Sequence, residues 1–146
     1  MADGFSGGCL CGSVRYESTM GAAFAGDCYC DDCRKASGTS HGSHMGVPEA
    51  AFTLTGALSS FEKPADSGNV VTRKFCPTCG SPVLSSNSGV PGMVFVRASS
   101  LDDAEAFKPM MTVYGSRAPS WSPPRHEPVF PDMPPPSDRP DGAPAD

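Results

Sequence analysis

The stretch Cys76-Pro-Thr-Cys-Gly80 decides how this chain folds, because it presents two thiols on one tight turn. A Cys-x-x-Cys-Gly turn points two thiolates at one metal ion, and Gly80 lets the backbone curl so that its amides face the sulfur atoms. The same spacing occurs in redox pairs of the thioredoxin type, where it opens a helix in a βαβ unit. No helical pattern follows this turn, so its context favours zinc.

The other five cysteines form two more groups, Cys9-x-Cys11 and Cys28-x-Cys30-x-x-Cys33. Side chains two positions apart lie on the same face of an extended segment, so Cys9 and Cys11 are expected to reach one metal ion together. The alternative for this pair is two buried cysteines without a ligand role. Because the Cys-x-x-Cys turn lacks two ligands, the metal interpretation is preferred.

The seven thiols divide into four plus three. Four thiolates close a structural zinc site, whereas three leave a fourth position open for water or substrate. We therefore predict two Zn²⁺ ions per chain, the second one partly occupied because it has fewer ligands. The structural zinc is assigned to Cys9, Cys11, Cys76 and Cys79, and the second, catalytic zinc to Cys28, Cys30 and Cys33. The alternatives are a spare thiol in the middle group, or disulfides, which would leave one cysteine unpaired.

Positive charge follows the middle group directly, in the stretch Arg34-Lys-Ala-Ser-Gly-Thr-Ser-His41. A substrate that carries an anionic group requires cations beside the metal. We predict that Arg34 and Lys35 bind substrate carboxylates, and Arg73 and Arg97 are further candidates. The alternative for all four is a solvated surface charge.

Other polar side chains near the middle group could complete or support the second zinc. His41, His44 and His126 are candidates for its fourth ligand, and the alternative is a solvated loop histidine. Asp31 and Asp32 lie between two predicted ligands, where a carboxylate can accept a hydrogen bond or relay a proton. Capping of a helix N-terminus is the preferred role of Asp31.

The composition is that of one turn-rich domain, with 16 Gly and 16 Pro in 146 residues. A net charge of −5 argues against nucleic-acid binding, which needs a basic face. No signal peptide or membrane span is predicted, so we expect a cytoplasmic protein without a membrane partner. The zinc domain is predicted over residues 1–134, with the segment up to Met133 packed in extended form. Residues 135–146 are predicted to be a Pro-rich, acidic, disordered tail.

Short strands and many turns predict a mainly β fold, a small zinc-stapled domain of antiparallel strands with little helix. The stretch from Val70 to Phe75 alternates in polarity, and the stretch from Met93 to Arg97 is apolar on both faces, which predicts a central buried strand. A hairpin is predicted around Gly56, between residues 51–55 and 58–61. An early strand is predicted in which Leu10, Val14 and Tyr16 share one face.

Two short helices are predicted. One covers Asp31 to Ser37 and stops at Gly38. The other covers Ser100 to Phe107, with Ser100 as its cap. A last strand is predicted from Met110 to Tyr114.

Three motifs, in order along the chain, carry a resemblance to a known family. They are Gly7-Gly-Cys-Leu-Cys-Gly-Ser-Val-Arg-Tyr16, Cys28-x-Cys30-x-x-Cys33-Arg-Lys-x-Ser-Gly38 and Arg73-x-Phe-Cys-x-x-Cys-Gly-Ser-Pro82. Together with Trp121 and the Pro-rich segment that follows it, they resemble the glutathione-dependent formaldehyde-activating enzyme family, which is also named together with centromere protein V. The likeness runs from about Gly7 to Pro134.

The resemblance implies a zinc-stapled, mostly β domain and the same four-plus-three partition of the ligands. It also implies that a carbon–sulfur bond is formed or cleaved between a glutathione-like thiol and a small carbonyl such as formaldehyde, as in a carbon–sulfur lyase of the S-hydroxymethylglutathione synthase type. Two departures touch the substrate side. Tyr29 stands where the family often has His, and the residues after Gly38 are polar where the family often has apolar ones.

For the mechanism, we expect the second zinc to activate the thiol rather than to polarise the aldehyde, because three thiolates reduce the Lewis acidity of the ion. The alternative function is a non-enzymatic zinc-binding interaction module with two structural metals, in which His41, His44 or Asp31 closes the second site. A zinc-containing methionine sulfoxide reductase would need a redox cysteine outside the metal groups. A nucleic-acid zinc ribbon would need positive charge.

Overall fold

Two sheets, of three and seven strands, make up the computed structural model, which describes residues 3–134. In chain order the elements are β1 (Phe5–Gly8), β2 (Arg15–Ser18), β3 (Phe24–Cys28), α1 (Asp31–Ser37), β4 (Gly42–Pro48), β5 (Phe52–Thr55), β6 (Ser59–Pro64), β7 (Val70–Phe75), β8 (Pro82–Asn87), β9 (Met93–Arg97) and β10 (Met111–Val113). Short 3-10 helices cover Glu49–Ala51, Ala98–Ser100, Ala104–Ala106 and Gly115–Arg117. The predicted mainly β class is confirmed.

The large sheet carries the strands that will matter for the site. Its order is β10-β3-β4-β9-β8-β7-β6, and all neighbours are antiparallel except β10 and β3. The small sheet has the order β1-β2-β5. Buried side chains of both sheets, among them Tyr16, Val47, Val83 and Val96, form one apolar cluster. A second cluster, with Phe24 and Phe95, packs around Cys28.

Several elements lie where the sequence predicted them. β9 is the fourth strand of seven and is buried over Val94 to Arg97, as expected for a run that is apolar on both faces. β7 has the predicted bounds. α1 covers the predicted residues and ends at Gly38, whose φ of 80° lies in the left-handed region that favours glycine.

The predicted hairpin around Gly56 is wrong. β5 pairs with β2 in the small sheet, whereas β6 pairs with β7 in the large one. Gly56, with a φ of 101°, is therefore the point where the chain leaves one sheet for the other. Alternation of apolar residues shows that a segment is extended, but it does not identify the strand that it pairs with.

The early strand and the second helix are also corrected. Leu10 is 88% exposed in the turn that separates β1 from β2, so it does not share a face with Val14 and Tyr16. The stretch from Ser100 to Phe107 forms no α-helix, because Leu101 makes a β-bridge with Gly7 instead. Tertiary pairing thus overrides the local capping pattern.

The segment after β10 packs on the large sheet, but it is made of turns and bends with a β-bridge between Thr112 and Val129, and not of the predicted extended chain. Thr112 exchanges backbone hydrogen bonds with this segment, donating to the Pro128 carbonyl and accepting from the Phe130 amide. Trp121 nevertheless stays 69% exposed. The predicted tail over residues 135–146 lies outside the described residues. No helix within residues 3–134 combines the length and the apolar character needed to cross a membrane.

Candidate functional site

Four cysteines come together between the two sheets. The sulfur atoms of Cys9, Cys11, Cys76 and Cys79 all lie within 4.8 Å of one another. Cys9 Sγ is 3.6 Å from Cys11 Sγ, which is 3.8 Å from Cys76 Sγ. Sulfur ligands at ~2.3 Å in a tetrahedron around zinc are separated by about 3.8 Å. The sulfur positions therefore fit one tetrahedral metal ion.

Two turns, rather than an extended segment, bring these sulfur atoms together. The Gly12 amide donates to the Cys9 carbonyl and the Gly80 amide to the Cys76 carbonyl, and both glycines have φ near 80°. The expectation that Cys9 and Cys11 share a strand face is wrong, because they occupy the β1–β2 turn. The predicted curl at Gly80 is present, and the Cys79 amide donates to Cys76 Sγ at 3.4 Å.

Hydrogen bonds lower the pKa values of Cys79 and Cys9 in this cluster, whereas the hydrogen bond with Cys9 raises the pKa of Cys11. The Ser81 hydroxyl, 3.3 Å from Cys79 Sγ, and the Ser81 amide lower the pKa of Cys79 to about 5. The Val14 amide donates to Cys9 Sγ at 3.2 Å. Because a metal ligand must be deprotonated, this environment suits metal binding at neutral pH.

The other three cysteines come from one short segment. Cys28 ends β3, Cys30 caps α1 and Cys33 lies in the first turn of α1, and their sulfur atoms lie within 4.8 Å of one another. The cap is Cys30 and not the predicted Asp31, because Cys30 Sγ accepts from the Cys33 amide at 3.3 Å. The group could hold a metal ion with three protein ligands.

These three sulfur atoms line a cavity of about 280 Å³ at the side of the large sheet. Five other acidic and basic side chains that line the cavity form ion pairs with one another. Lys63 Nζ is 2.9 Å from Asp32, and the Arg117 guanidinium lies 3.9 Å from Asp31 and 4.0 Å from Asp66. We call these residues the rim. Each of its two cations has a carboxylate partner, and its three carboxylates leave it with a net charge of −1.

Beside the cysteines, the cavity has a different polar lining. His44, Arg73 and Arg97 all face it, and we call them the inner group. Arg73 Nη2 donates to Cys33 Sγ at 3.8 Å, and His44 Nε2 is 3.5 Å from the same sulfur. Hydrogen bonds with the neighbouring thiols, followed by the charges of Arg97 and Arg73, hold the pKa of Cys33 well below its usual value. Cys33 is thus the most readily ionised of the three thiols.

The contacts of His44 fix its tautomer. Burial, with the charges of Arg97 and Arg73, lowers the pKa of His44 well below its usual value, so the ring is neutral at pH 7. Arg97 Nη1 lies 2.8 Å from His44 Nδ1 and can only donate, so Nδ1 accepts and the proton resides on Nε2. His44 therefore presents an N–H to Cys33 and not a lone pair.

The fold builds this inner group from distant parts of the chain. His44 and Arg97 are directly opposed on β4 and β9, and Arg73 lies on β7. Gly42 leaves room for the histidine, because a Cβ there would lie 2.8 Å from His44 Nε2. Arg73 and Arg97 were further candidates in the sequence analysis. No sequence pattern near His44 or Arg97 predicts their contact, because it depends on the register of two strands that are far apart in the chain.

Other predicted residues lie elsewhere. Arg34 and Lys35 are in α1 and are not among the side chains that line the cavity, so their substrate role stays a prediction. His41 and His126 face the buried carboxylate of Asp27, at 3.7 and 3.6 Å, and neither belongs to a cysteine group. Of the three histidines, only His44 contacts the middle cysteines among residues 3–134.

Comparison with known proteins agrees with this architecture. Residues 4–117 match the family model described as "Glutathione-dependent formaldehyde-activating enzyme". No curated protein matches the chain. The chain is similar to the crystal structure of a protein from Rhodobacter sphaeroides, with a TM-score of 0.53 and 24% identity, over 66% of this chain and 87% of that one. At this identity, the structural likeness concerns the fold alone.

Proposed function

This chain belongs to the glutathione-dependent formaldehyde-activating enzyme family, and we propose that it is a zinc-dependent carbon–sulfur lyase. In this proposal it forms or cleaves the adduct between a glutathione-like thiol and a small carbonyl such as formaldehyde. The observation that carries the proposal is the position of Cys28, Cys30 and Cys33, whose sulfur atoms are close enough to share one metal ion and line the cavity. Three ligands leave one coordination position for the cavity side.

Cys28, Cys30 and Cys33 would hold the second zinc, and the four-cysteine cluster the first. When bound, the second zinc supplies an open coordination position that lowers the pKa of an incoming thiol. The residues of the chain do the rest. Arg73 and Arg97 balance the negative charge of the thiolates, and the apolar ring of Phe95 on the cavity wall limits water near the reacting sulfur.

The alternative, an interaction module with two structural metals, requires a fourth protein ligand at the second site. His44 is the nearest candidate, at 3.5 Å from Cys33 Sγ. Its Nε2 carries the proton, however, and moving that proton to Nδ1 would set two donors against each other at the 2.8 Å contact with Arg97. This contact favours an open second site and therefore an enzyme.

The test is the exchange rate between free glutathione, formaldehyde and S-hydroxymethylglutathione, measured at equilibrium by two-dimensional exchange NMR. Uncatalysed exchange without protein is the baseline. We expect zinc-loaded wild type to raise the rate and Cys33→Ala to return it to the baseline while the protein stays folded. Glu17→Gln, on the exposed face of the small sheet, is the matched control. Equal rates for wild type and Cys33→Ala would sink the proposal.

A further inference from the structure

The inner group contains two guanidinium groups that have no carboxylate partner within residues 3–134. Every rim cation has one, since Lys63 pairs with Asp32 and Arg117 with two aspartates. The contacts of Arg97 Nη1 are all uncharged: the ring of His44, the hydroxyl of Ser85 at 3.1 Å and the carbonyl of Phe95. Arg97 is 94% buried, and the charges that offset its desolvation are those of the cysteine thiolates and not of a carboxylate.

Arg73 has a second unusual feature. Its Nε is the one buried side-chain nitrogen or oxygen atom, among the described residues, that lacks a hydrogen-bond partner. Its Nη2 reaches only a sulfur atom, Cys33 Sγ at 3.8 Å. The Nε and Nη2 edge of a guanidinium is the fork that binds a carboxylate through two parallel hydrogen bonds. Nε is itself closed off from solvent, so a ligand carboxylate in the cavity reaches it only after the guanidinium turns towards the cavity. With that turn, the unsatisfied donor offers a position for an acceptor supplied by a ligand.

The charges at the inner end of the cavity also favour an anionic ligand. Three thiolates around Zn²⁺ carry a net charge of about −1, and Arg73 and Arg97 together carry +2. Both guanidinium groups are charged at pH 7. The inner end of the cavity is therefore net positive before substrate binds. It favours a small anion over a neutral molecule.

We propose that Arg73 binds a carboxylate of the carbonyl substrate, so that the protein prefers a small α-oxo acid with an aldehyde carbon, such as glyoxylate, over formaldehyde. The reason is distance. Arg73 Nη2 lies 3.8 Å from Cys33 Sγ, so an anion that it binds lies close to the metal position and to the carbon that reacts there. The carboxylate of an α-oxo acid is bonded directly to that carbon. The carboxylates of glutathione are several bonds from its sulfur, and formaldehyde has none.

The reaction rests on the proposed function and balances without a further reactant. The thiol sulfur attacks the aldehyde carbon of the acid, forming the carbon–sulfur bond while the carbonyl π bond breaks. The thiol proton ends on the new hydroxyl oxygen, and the product is a thiohemiacetal that keeps the carboxylate. Cleavage is the reverse. No electron is gained or lost.

The experiment separates the two sources of a carboxylate by using two thiols and two carbonyls. Glutathione or 2-mercaptoethanol is combined with glyoxylate or formaldehyde, and exchange rates are measured by NMR with zinc-loaded wild type, Arg73→Gln, Arg73→Lys and the control Glu17→Gln. Because a charged hydrogen-bond pair is lost, we expect Arg73→Gln to raise the KM for glyoxylate roughly tenfold with either thiol. Formaldehyde exchange should change less than about twofold, and Arg73→Lys should recover part of the loss.

A direct binding measurement runs in parallel, with glycolate as an unreactive probe titrated into each zinc-loaded protein by calorimetry. Binding to wild type that Arg73→Gln weakens supports the carboxylate site, even if no thiol and carbonyl pair is accelerated and the proposed lyase function fails. Three results overturn the inference while leaving that function intact. They are glyoxylate exchange no faster than formaldehyde exchange, an equal effect of Arg73→Gln on both carbonyls, or an effect that follows glutathione instead of glyoxylate.

Discussion

Removal of one half of the four-cysteine cluster should cost the protein much of its stability. Cys11 and Cys76 are 65 positions apart, and their sulfur atoms are 3.8 Å apart. A metal ion that joins them closes a long loop, which in the chain-entropy treatment of cross-links stabilises the native state by about 4 kcal/mol. A domain of this size has a total stability of only ~5–15 kcal/mol. The double variant Cys76→Ser with Cys79→Ser loses this cross-link completely.

The loss in the free energy of unfolding can be measured by urea unfolding, followed by circular dichroism. With a slope of ~2 kcal/mol per molar urea, a loss of about 4 kcal/mol lowers the midpoint by about 2 M. The middle cluster spans only the segment from Cys28 to Cys33, so its loop closure stabilises by only about 2 kcal/mol. Cys33→Ala is therefore the matched comparison. It should stay folded, lose the second metal and shift the midpoint by half as much.

Cys76 is fully buried, so serine at this position lowers the stability of the protein even without a metal ion. Urea unfolding of wild type and the double variant in excess chelator measures this effect separately. In excess chelator, wild type should fall towards the double variant, because both lack the cross-link. The reasoning is refuted if the difference between them is as large with chelator as with zinc. It is also refuted if elemental analysis finds two firmly held zinc ions in the double variant.

Three further outcomes are expected. Burial raises the pKa of Tyr16 to about 12, so its neutral form stabilises the fold fully below pH ~10 and this stabilisation is lost between pH ~10 and 12. The urea midpoint of wild type should therefore fall over this pH range, and Tyr16→Phe should remove the part of the fall that Tyr16 causes. A fall of the same size in Tyr16→Phe would contradict the assignment. A hydrogen bond from Arg15 lowers the pKa of Asp102 to about 2, so Asp102→Asn should be less stable than wild type above pH ~4 and should converge with it as the pH falls to 2 in thermal melts. Gly42→Ala should displace the ring of His44, since the new Cβ would lie 2.8 Å from Nε2; a changed His44 resonance in NMR spectra checks this, and an unshifted resonance would show that the ring has room.

Local sequence patterns predicted the parts of the fold that are decided locally. α1 was recognisable because Gly38 can take the left-handed conformation that ends a helix. The burial of β9 followed from its unbroken apolar run. The two groups of cysteines that could hold a metal ion followed from the spacing of the cysteines, although Cys9 and Cys11 meet through a turn and not through the predicted strand.

What the sequence could not predict depends on strand pairing. β5 and β6 are adjacent in the chain but belong to different sheets, and only their partners, β2 and β7, explain this. The inner group has the same origin. His44 becomes a donor to Cys33 because the register of β4 on β9 sets it against Arg97, and a single sequence carries no direct record of register.

The two cysteine groups differ in how their surroundings are made. The four-cysteine cluster is formed by two turns that are distant in the sequence. Its sulfur atoms accept hydrogen bonds from amides and hydroxyls of the same turns and of their neighbours. The three-cysteine cluster is local in sequence but leaves its charge to be balanced by Arg73 and Arg97 from other strands. Those arginines reach it only after the large sheet has formed. The three-cysteine cluster therefore acquires its positive surroundings as a consequence of the formation of the large sheet.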